Sequence, residues 1–180
     1  QENYIGTGSG DWPHGSIIAP ILSEDRLGLI CGYHSAFSEN TYPEVFKIPV
    51  DSEKYNSVWE KEVIAEIPYG EEFQVADLNG NGYLDVIAGN YILENSGNSE
   101  FISHKLMEDI DAARVVVTDI NGNGKPDIIL GEEILDFENK VTPYSKLFWL
   151  ENPGTFQGKW EMHVIDKVRC AHSLGVADFD

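Results

Sequence analysis

Two stretches decide the fold: FQVADLNGNGYLDVIAGN, from Phe73 to Asn90, and VVVTDINGNGKPDIILGE, from Val115 to Glu132. In each, a short apolar run enters the turn Asp-x-Asn-Gly-Asn-Gly-x-x-Asp and a second apolar run leaves it. β-Branched residues bounded by Gly, Asn and Asp mark strands joined by a tight turn. The stretch is repeated, so the chain reads as an array of like units.

Further matches extend the repeat. FISHKL (Phe101 to Leu106), WEMHVI (Trp160 to Ile165) and WEKEVI (Trp59 to Ile64) align, and LEN recurs at Leu93 to Asn95 and at Leu150 to Asn152. The pattern predicts four short strands per unit. Unit one has them near 14–21, 27–32, 44–50 and 58–66; unit two near 71–77, 83–89, 90–95 and 101–106; unit three near 113–119, 125–131, 146–151 and 160–166. A fourth unit is expected to begin at 172–180, where Asp178 and Asp180 stand in the places of Asp77 and Asn79. Four strands at a period of about 40–50 residues is the pattern of β-propeller blades, small antiparallel sheets that must stack to bury both faces. The expectation is an all-β fold. It is a single partial propeller domain of about three and a half blades (14–67, 71–107, 113–166 and the start of a fourth at 172–180), a fragment of a larger, seven-bladed wheel. The remaining blades would come from more of the chain or from another chain. Unit three carries an insertion, Glu132 to Lys146, expected as a surface loop between its second and third strands.

The loops have the chemistry of a calcium site. Asp77, Asn79, Asn81 and Asp85 place oxygen side chains at positions 1, 3, 5 and 9; Asp119, Asn121, Asn123 and Asp127 repeat the spacing. Ca²⁺ takes six to eight oxygens, and glycine at position 6 (Gly82, Gly124) permits the sharp turn. Tyr83 and Lys125, at position 7, would contribute backbone carbonyls, and Leu84 would anchor its loop to the core. Two complete loops and a truncated third at Asp178 and Asp180 are therefore expected to bind Ca²⁺, in a structural role. With two carboxylates per loop, the affinity falls toward the ~10⁻⁴–10⁻³ M range of extracellular modules, which points to secretion or the periplasm. In unit one, Pro20 and Ser23 replace the loop acids, and no ion is expected there.

From about residue 70 to 180 the chain resembles the FG-GAP/VCBS repeat family, whose members form calcium-binding β-propellers, commonly seven-bladed. KLFWLENPGTFQGKWEMHVIDKVRCAHSLGVADFD, from Lys146 to Asp180, also resembles the propeller region of large secreted sugar-processing proteins of the aldos-2-ulose dehydratase kind. That resemblance implies a setting in carbohydrate chemistry. The cupin domains of those proteins have no counterpart in these residues.

In a propeller the first strand of each blade lines the central channel. Six residues before each loop's first position stand His14, Glu71, Ala113 and His172. Two imidazoles and a carboxylate converging there could hold Zn²⁺ or another divalent metal, or act as acid and base on a sugar. Arg114 could grip a uronate carboxylate bidentately. His14, Glu71, Arg114 and His172 are thus the candidate catalytic set, against the plainer role of hydrogen bonds at strand ends. His104, His163, Trp149 and Trp160 recur at strand positions and are expected to serve blade packing.

The net charge of −19 disfavours nucleic acid and anionic membrane surfaces and favours cations. No stretch approaches the ~20 apolar residues of a membrane helix, and no signal peptide is visible at the start. Cys31 and Cys170 read as small buried residues. Two functions follow: a calcium-stabilised module that binds a glycan or a protein, or a secreted polysaccharide lyase or sugar dehydratase using the channel residues. No nucleophile elbow, Cys/His pair or phosphate loop is present.

Overall fold

The computed structural model describes residues 12–23, 26–34, 40–68, 70–98, 100–110, 112–134, 142–169 and 171–179. Thirteen strands and one short 3₁₀ turn (Ser52–Lys54) account for the regular structure among them, with no α-helix.

The strands form three antiparallel sheets. The first contains β1 (Trp12–Ser23), β2 (Arg26–His34), β3 (Asn40–Lys47) and β4 (Lys61–Val63) in that order, with β5 (Ile67–Pro68) also paired to β3. The second runs β6 (Phe73–Ala76), β7 (Asp85–Ala88), β8 (Tyr91–Asn95), β9 (Phe101–Lys105). The third runs β10 (Ala112–Thr118), β11 (Asp127–Glu132), β12 (Ser145–Glu151), β13 (Glu161–Val168). Each of the last two is an up-and-down meander, the four-stranded blade expected from the repeat.

Stacking follows from the period-2 alternation of strand side chains. In β7, Val86 and Ala88 face the first sheet and pack with Ile21, Ile30, Val45, Ile67 and Phe73. Ile87, between them, faces the third sheet with Ile128, Leu130, Phe148, Leu150 and Trp160. β8 divides the same way, with Leu93 on one side and Ile92 on the other. The middle blade is therefore apolar on both faces, and β7 is buried at every position. The inner strands touch in sequence, β6 lying against both β1 and β10.

Two expectations are corrected. Residues 171–179 form no strand, where the first strand of a fourth blade was expected. A strand persists only where a partner takes its backbone N–H and C=O groups, and no described segment pairs with this one. In the first sheet, the predicted outer strand at 58–66 shrinks to the three-residue β4, and β5 follows just beyond it, both bonded to β3. β3 itself lies N-terminal to its predicted span, ending at Lys47 where Ile48 and Pro49 leave the sheet. The insertion of unit three does fall between β11 and β12; its residues 135–141 lie outside the described set.

Candidate functional site

Both loops close by the same pattern of hydrogen bonds, with one further bond, from Gly80, in the first. Asp77 accepts from the N–H groups of Gly80 (2.8 Å), Asn81 (3.0 Å) and Gly82 (2.8 Å). Asn79 Oδ1 accepts from Asn81 N–H, and Asn81 Oδ1 from Tyr83 N–H. In the second loop Asp119 accepts from Asn123 and Gly124, Asn121 from Asn123, and Asn123 from Lys125. Backbone donors thus fix the oxygens of positions 1, 3 and 5; Asp77 Oδ1 accepts twice, while Asp77 Oδ2 and the amide oxygens of Asn79 and Asn81 each accept once and keep a second lone pair. Gly82 (φ +86°) and Gly124 (φ +84°) hold the left-handed turn.

Position 9 lies on the buried side. Asp85 is fully buried and accepts from Leu78 N–H (3.0 Å) and Asn95 N–H (2.9 Å). Asp127, also fully buried, accepts from Ile120 N–H (3.1 Å) and Asn152 N–H (2.9 Å). Burial pushes the Asp85 carboxyl up to about 6, against the lowering effect of its two N–H donors, and the nearby Asp77 and Glu94 carboxylates raise it further. Hard oxygens gathered around a carboxylate that burial and two neighbouring carboxylates make costly to ionise fit a hard divalent cation. At position 7 the Tyr83 and Lys125 side chains leave the loop. Tyr83 covers Gly97, and Lys125 reaches the Pro153 carbonyl (3.3 Å) beside Gly154. Leu84 is half-buried as expected, but Leu78, at position 2, is the deeper anchor. Of the third loop, Asp178 is exposed and Asp180 lies outside the described residues.

Sequence reasoning missed what LEN does. Glu94 accepts from Asn79 (3.4 Å) and pairs with His104 (2.7 Å); Glu151 accepts from Asn121 (3.1 Å) and pairs with His163 (3.2 Å). His104 stacks on Phe156 of the next blade and His163 on Trp149, while Trp160 is buried in the core, in keeping with packing roles. Glu151, Glu161 and His163 bring one ligand atom each within 4.8 Å of one another at the surface. The recurrence of LEN was the available signal; its meaning was not.

The channel candidates converge. Glu71 Oε2 lies 3.2 Å from Arg114 Nη1 and 3.6 Å from His14 Nδ1. Arg114 Nη2 is 2.9 Å from His172 Nδ1, and His172 Nε2 is 3.1 Å from Glu133 Oε1. Because a guanidinium only donates, His172 Nδ1 accepts and its proton sits on Nε2, directed at Glu133. Arg114 Nε is buried without a hydrogen-bond partner among the described residues. Bulges aim this chain. The β1–β2 register slips between His14 and Ser16, and the β10–β11 register slips between Ala112 and Arg114. A side chain at Gly15 would strike the Glu71 carbonyl, so glycine lets β1 approach and sets His14 beside Glu71.

Arg114 rather than Ala113 therefore carries the third blade's contribution; the Ala113 side chain lies outside the described set. Glu133, in the insertion, and Glu72, which accepts from Val115 N–H (3.1 Å), were not foreseen. Both ring nitrogens of His172 and both terminal nitrogens of Arg114 are engaged, so binding a metal or a uronate here would break a contact already made. Cys31 carries a free, half-buried thiol on β2; Cys170 lies outside the described residues. No helix of the described residues is long and apolar enough to cross a membrane.

Residues 77–130 match the family model of the FG-GAP-like repeat, a span covering both loops and the strands between them. No curated protein and no solved structure matches the chain. That match covers less than half of the chain; together with the three antiparallel sheets it supports a β-propeller-like module with an FG-GAP-like repeat.

Proposed function

We propose that the chain is part of a calcium-stabilised propeller module, secreted or periplasmic, that binds a carbohydrate or protein ligand. One observation carries the calcium reading: both loops fix three oxygen side chains by matching hydrogen bonds, above a buried aspartate. Asp77, Asn79, Asn81 and Asp85, and Asp119, Asn121, Asn123 and Asp127, would hold the ions, with the carbonyls of Tyr83 and Lys125. The ion's part is to neutralise Asp85 and its neighbours and to tie the inner hairpin of each blade. A site of this charge fills where calcium is millimolar, hence the extracellular or periplasmic assignment. The test is thermal melting in 5 mM calcium against excess chelator, for the wild type and for Asp77→Asn/Asp119→Asn. A midpoint that calcium raises in the wild type and leaves alone in the variant supports the reading. A midpoint indifferent to calcium in the wild type removes it.

A second reading, a sugar lyase or dehydratase, is favoured by the chain His14–Glu71–Arg114–His172, which spans three blades. Glu71 or His14 would take the C5 proton of a uronate as its C4–O bond breaks and the bonding pair leaves with that oxygen, and Arg114 would orient the His172 ring through their hydrogen bond. Incubation with oligouronates and measurement of unsaturated-uronate absorbance checks it. No product with the wild type, or equal product with His172→Ala, sinks it.

A further inference from the structure

A groove of about 340 Å³ lies in the first blade, lined by residues from Arg26 of β2 and Lys47 of β3 to the connection that follows β3. Its volume falls within the range of small-molecule sites, about 300–1,000 Å³. Arg26, Lys47 and Lys54 line it, three of the 12 cationic side chains in a chain of net charge −19. Lys47 pairs with Glu62 at 3.3 Å. Arg26 and Lys54 make no ion pair among the described residues, although the chain as a whole is strongly acidic. Of the two acids in the lining, Asp51 accepts from Glu53 N–H (3.0 Å), and Glu60 is exposed.

Apolar surface completes the groove. Trp59 lines it, with its indole N–H tied to the Tyr55 carbonyl at 3.3 Å, so the ring has a set orientation. Val50 and Val58, 84% and 75% exposed, line the same groove. Exposed aliphatic surface and a partly exposed indole, beside two cations with no ion pair among the described residues, suit a ligand with an apolar face and an anionic edge. A pyranose ring bearing a carboxylate has both: axial C–H groups pack on the indole, and the carboxylate takes a bidentate bond from Arg26 with Lys54 as a second point charge.

We infer that this groove is a binding subsite for a uronic-acid unit of an acidic glycan. It deepens the binding-module reading by naming a ligand class and a place, and it does not depend on calcium in the loops. A short oligosaccharide is the right probe, because a long polyanion would also feel the repulsion of the whole chain. Titration calorimetry and tryptophan fluorescence of the calcium-saturated protein with trigalacturonate form the experiment. The neutral galactose trimer and triglutamate serve as comparisons. Saturable binding of trigalacturonate is expected, at least tenfold tighter than either comparison. Arg26→Gln/Lys54→Gln should weaken it at least tenfold, as should Trp59→Leu, while Lys54→Arg retains it. Equal binding by Arg26→Gln/Lys54→Gln places the ligand elsewhere and overturns the inference. Equal affinity for triglutamate shows a surface that reads charge in peptides, and equal affinity for the neutral trimer removes the anionic requirement; either overturns it. Repeating the titration in chelator keeps the two readings apart, since loss of the calcium effect on melting leaves this binding in place.

Discussion

Asn152 donates its side-chain amide to the Leu78 carbonyl of the neighbouring blade at 2.9 Å, and Asn95 makes the same bond to Ile21 at 3.0 Å, across an identical separation of 74 residues. Each asparagine also bonds the carbonyl before its own blade's buried aspartate, Leu84 for Asn95 and Pro126 for Asn152. Each gives its backbone N–H to that aspartate. The couple of Asp85 with Asn95, repeated by Asp127 with Asn152, therefore joins loop, third strand and preceding blade at one buried point.

Truncating these asparagines should uncouple the blades. Asn152→Ala leaves the buried carbonyls of Leu78 and Pro126 and the N–H of Gly154 without their partner. The expected loss is about 2–4 kcal/mol, with a similar loss for Asn95→Ala. Urea unfolding followed by fluorescence reads it; a change within about 0.5 kcal/mol would show the bond to be incidental.

Gly82→Ala and Gly124→Ala isolate the cost of the turn. A Cβ at either position meets nothing within 4 Å, so no clash contributes. The left-handed conformation alone should cost about 1–2 kcal/mol per site. Calcium titrations of the same variants should show weaker binding. Variants as stable as the wild type would mean that the loops adopt another backbone in solution.

Asp85 gives a pH dependence of definite sign. Its carboxyl, raised from 3.8 to about 6 in the folded chain, binds a proton more tightly there than in the unfolded chain. Between about pH 4 and 6 the folded state holds the extra proton, so calcium-free stability falls as pH rises through this window, by at most about 3 kcal/mol. Below the window the native state keeps this contribution in full. Denaturant melts of the wild type and Asp85→Asn across pH 4–7 in chelator should differ by that slope. Calcium should flatten it, since a cation favours the ionised carboxylate. Parallel profiles in chelator would contradict the assignment.

The Cys31 thiol should react slowly. Burial raises it, a hydrogen bond with Tyr33 opposes the rise, and Glu44 adds to it, so thiolate is scarce near neutrality. In a Cys170→Ser background, reaction with a disulfide reagent at pH 7.5 should run at least tenfold slower in the folded protein than in urea. Equal rates would mean an open thiol.

Local chemistry was legible because it repeats within single turns. The Asp-x-Asn-Gly-Asn-Gly loops, the strands around them and the packing role of Trp160 could be read from spacing and residue type. The LEN asparagines could not, since their partners lie in a different blade. The fourth-blade strand read from HSLGVADFD did not form, because alternation proposes a strand and only a neighbouring strand completes its hydrogen bonds.

By itself, the sequence determined an all-β chain of repeated blades with two oxygen-rich turns. These rest on the backbone preferences of Gly, Asn, Asp and β-branched residues over a few bonds, and such preferences act without distant partners. Only the tertiary structure decided that Asn95 and Asn152 rivet one blade to the last, that bulges deliver His14 and Arg114 to Glu71, and that Glu133 reaches His172. Those contacts arise when separate sheets bury their apolar faces against one another, and the energy of that burial belongs to no single segment.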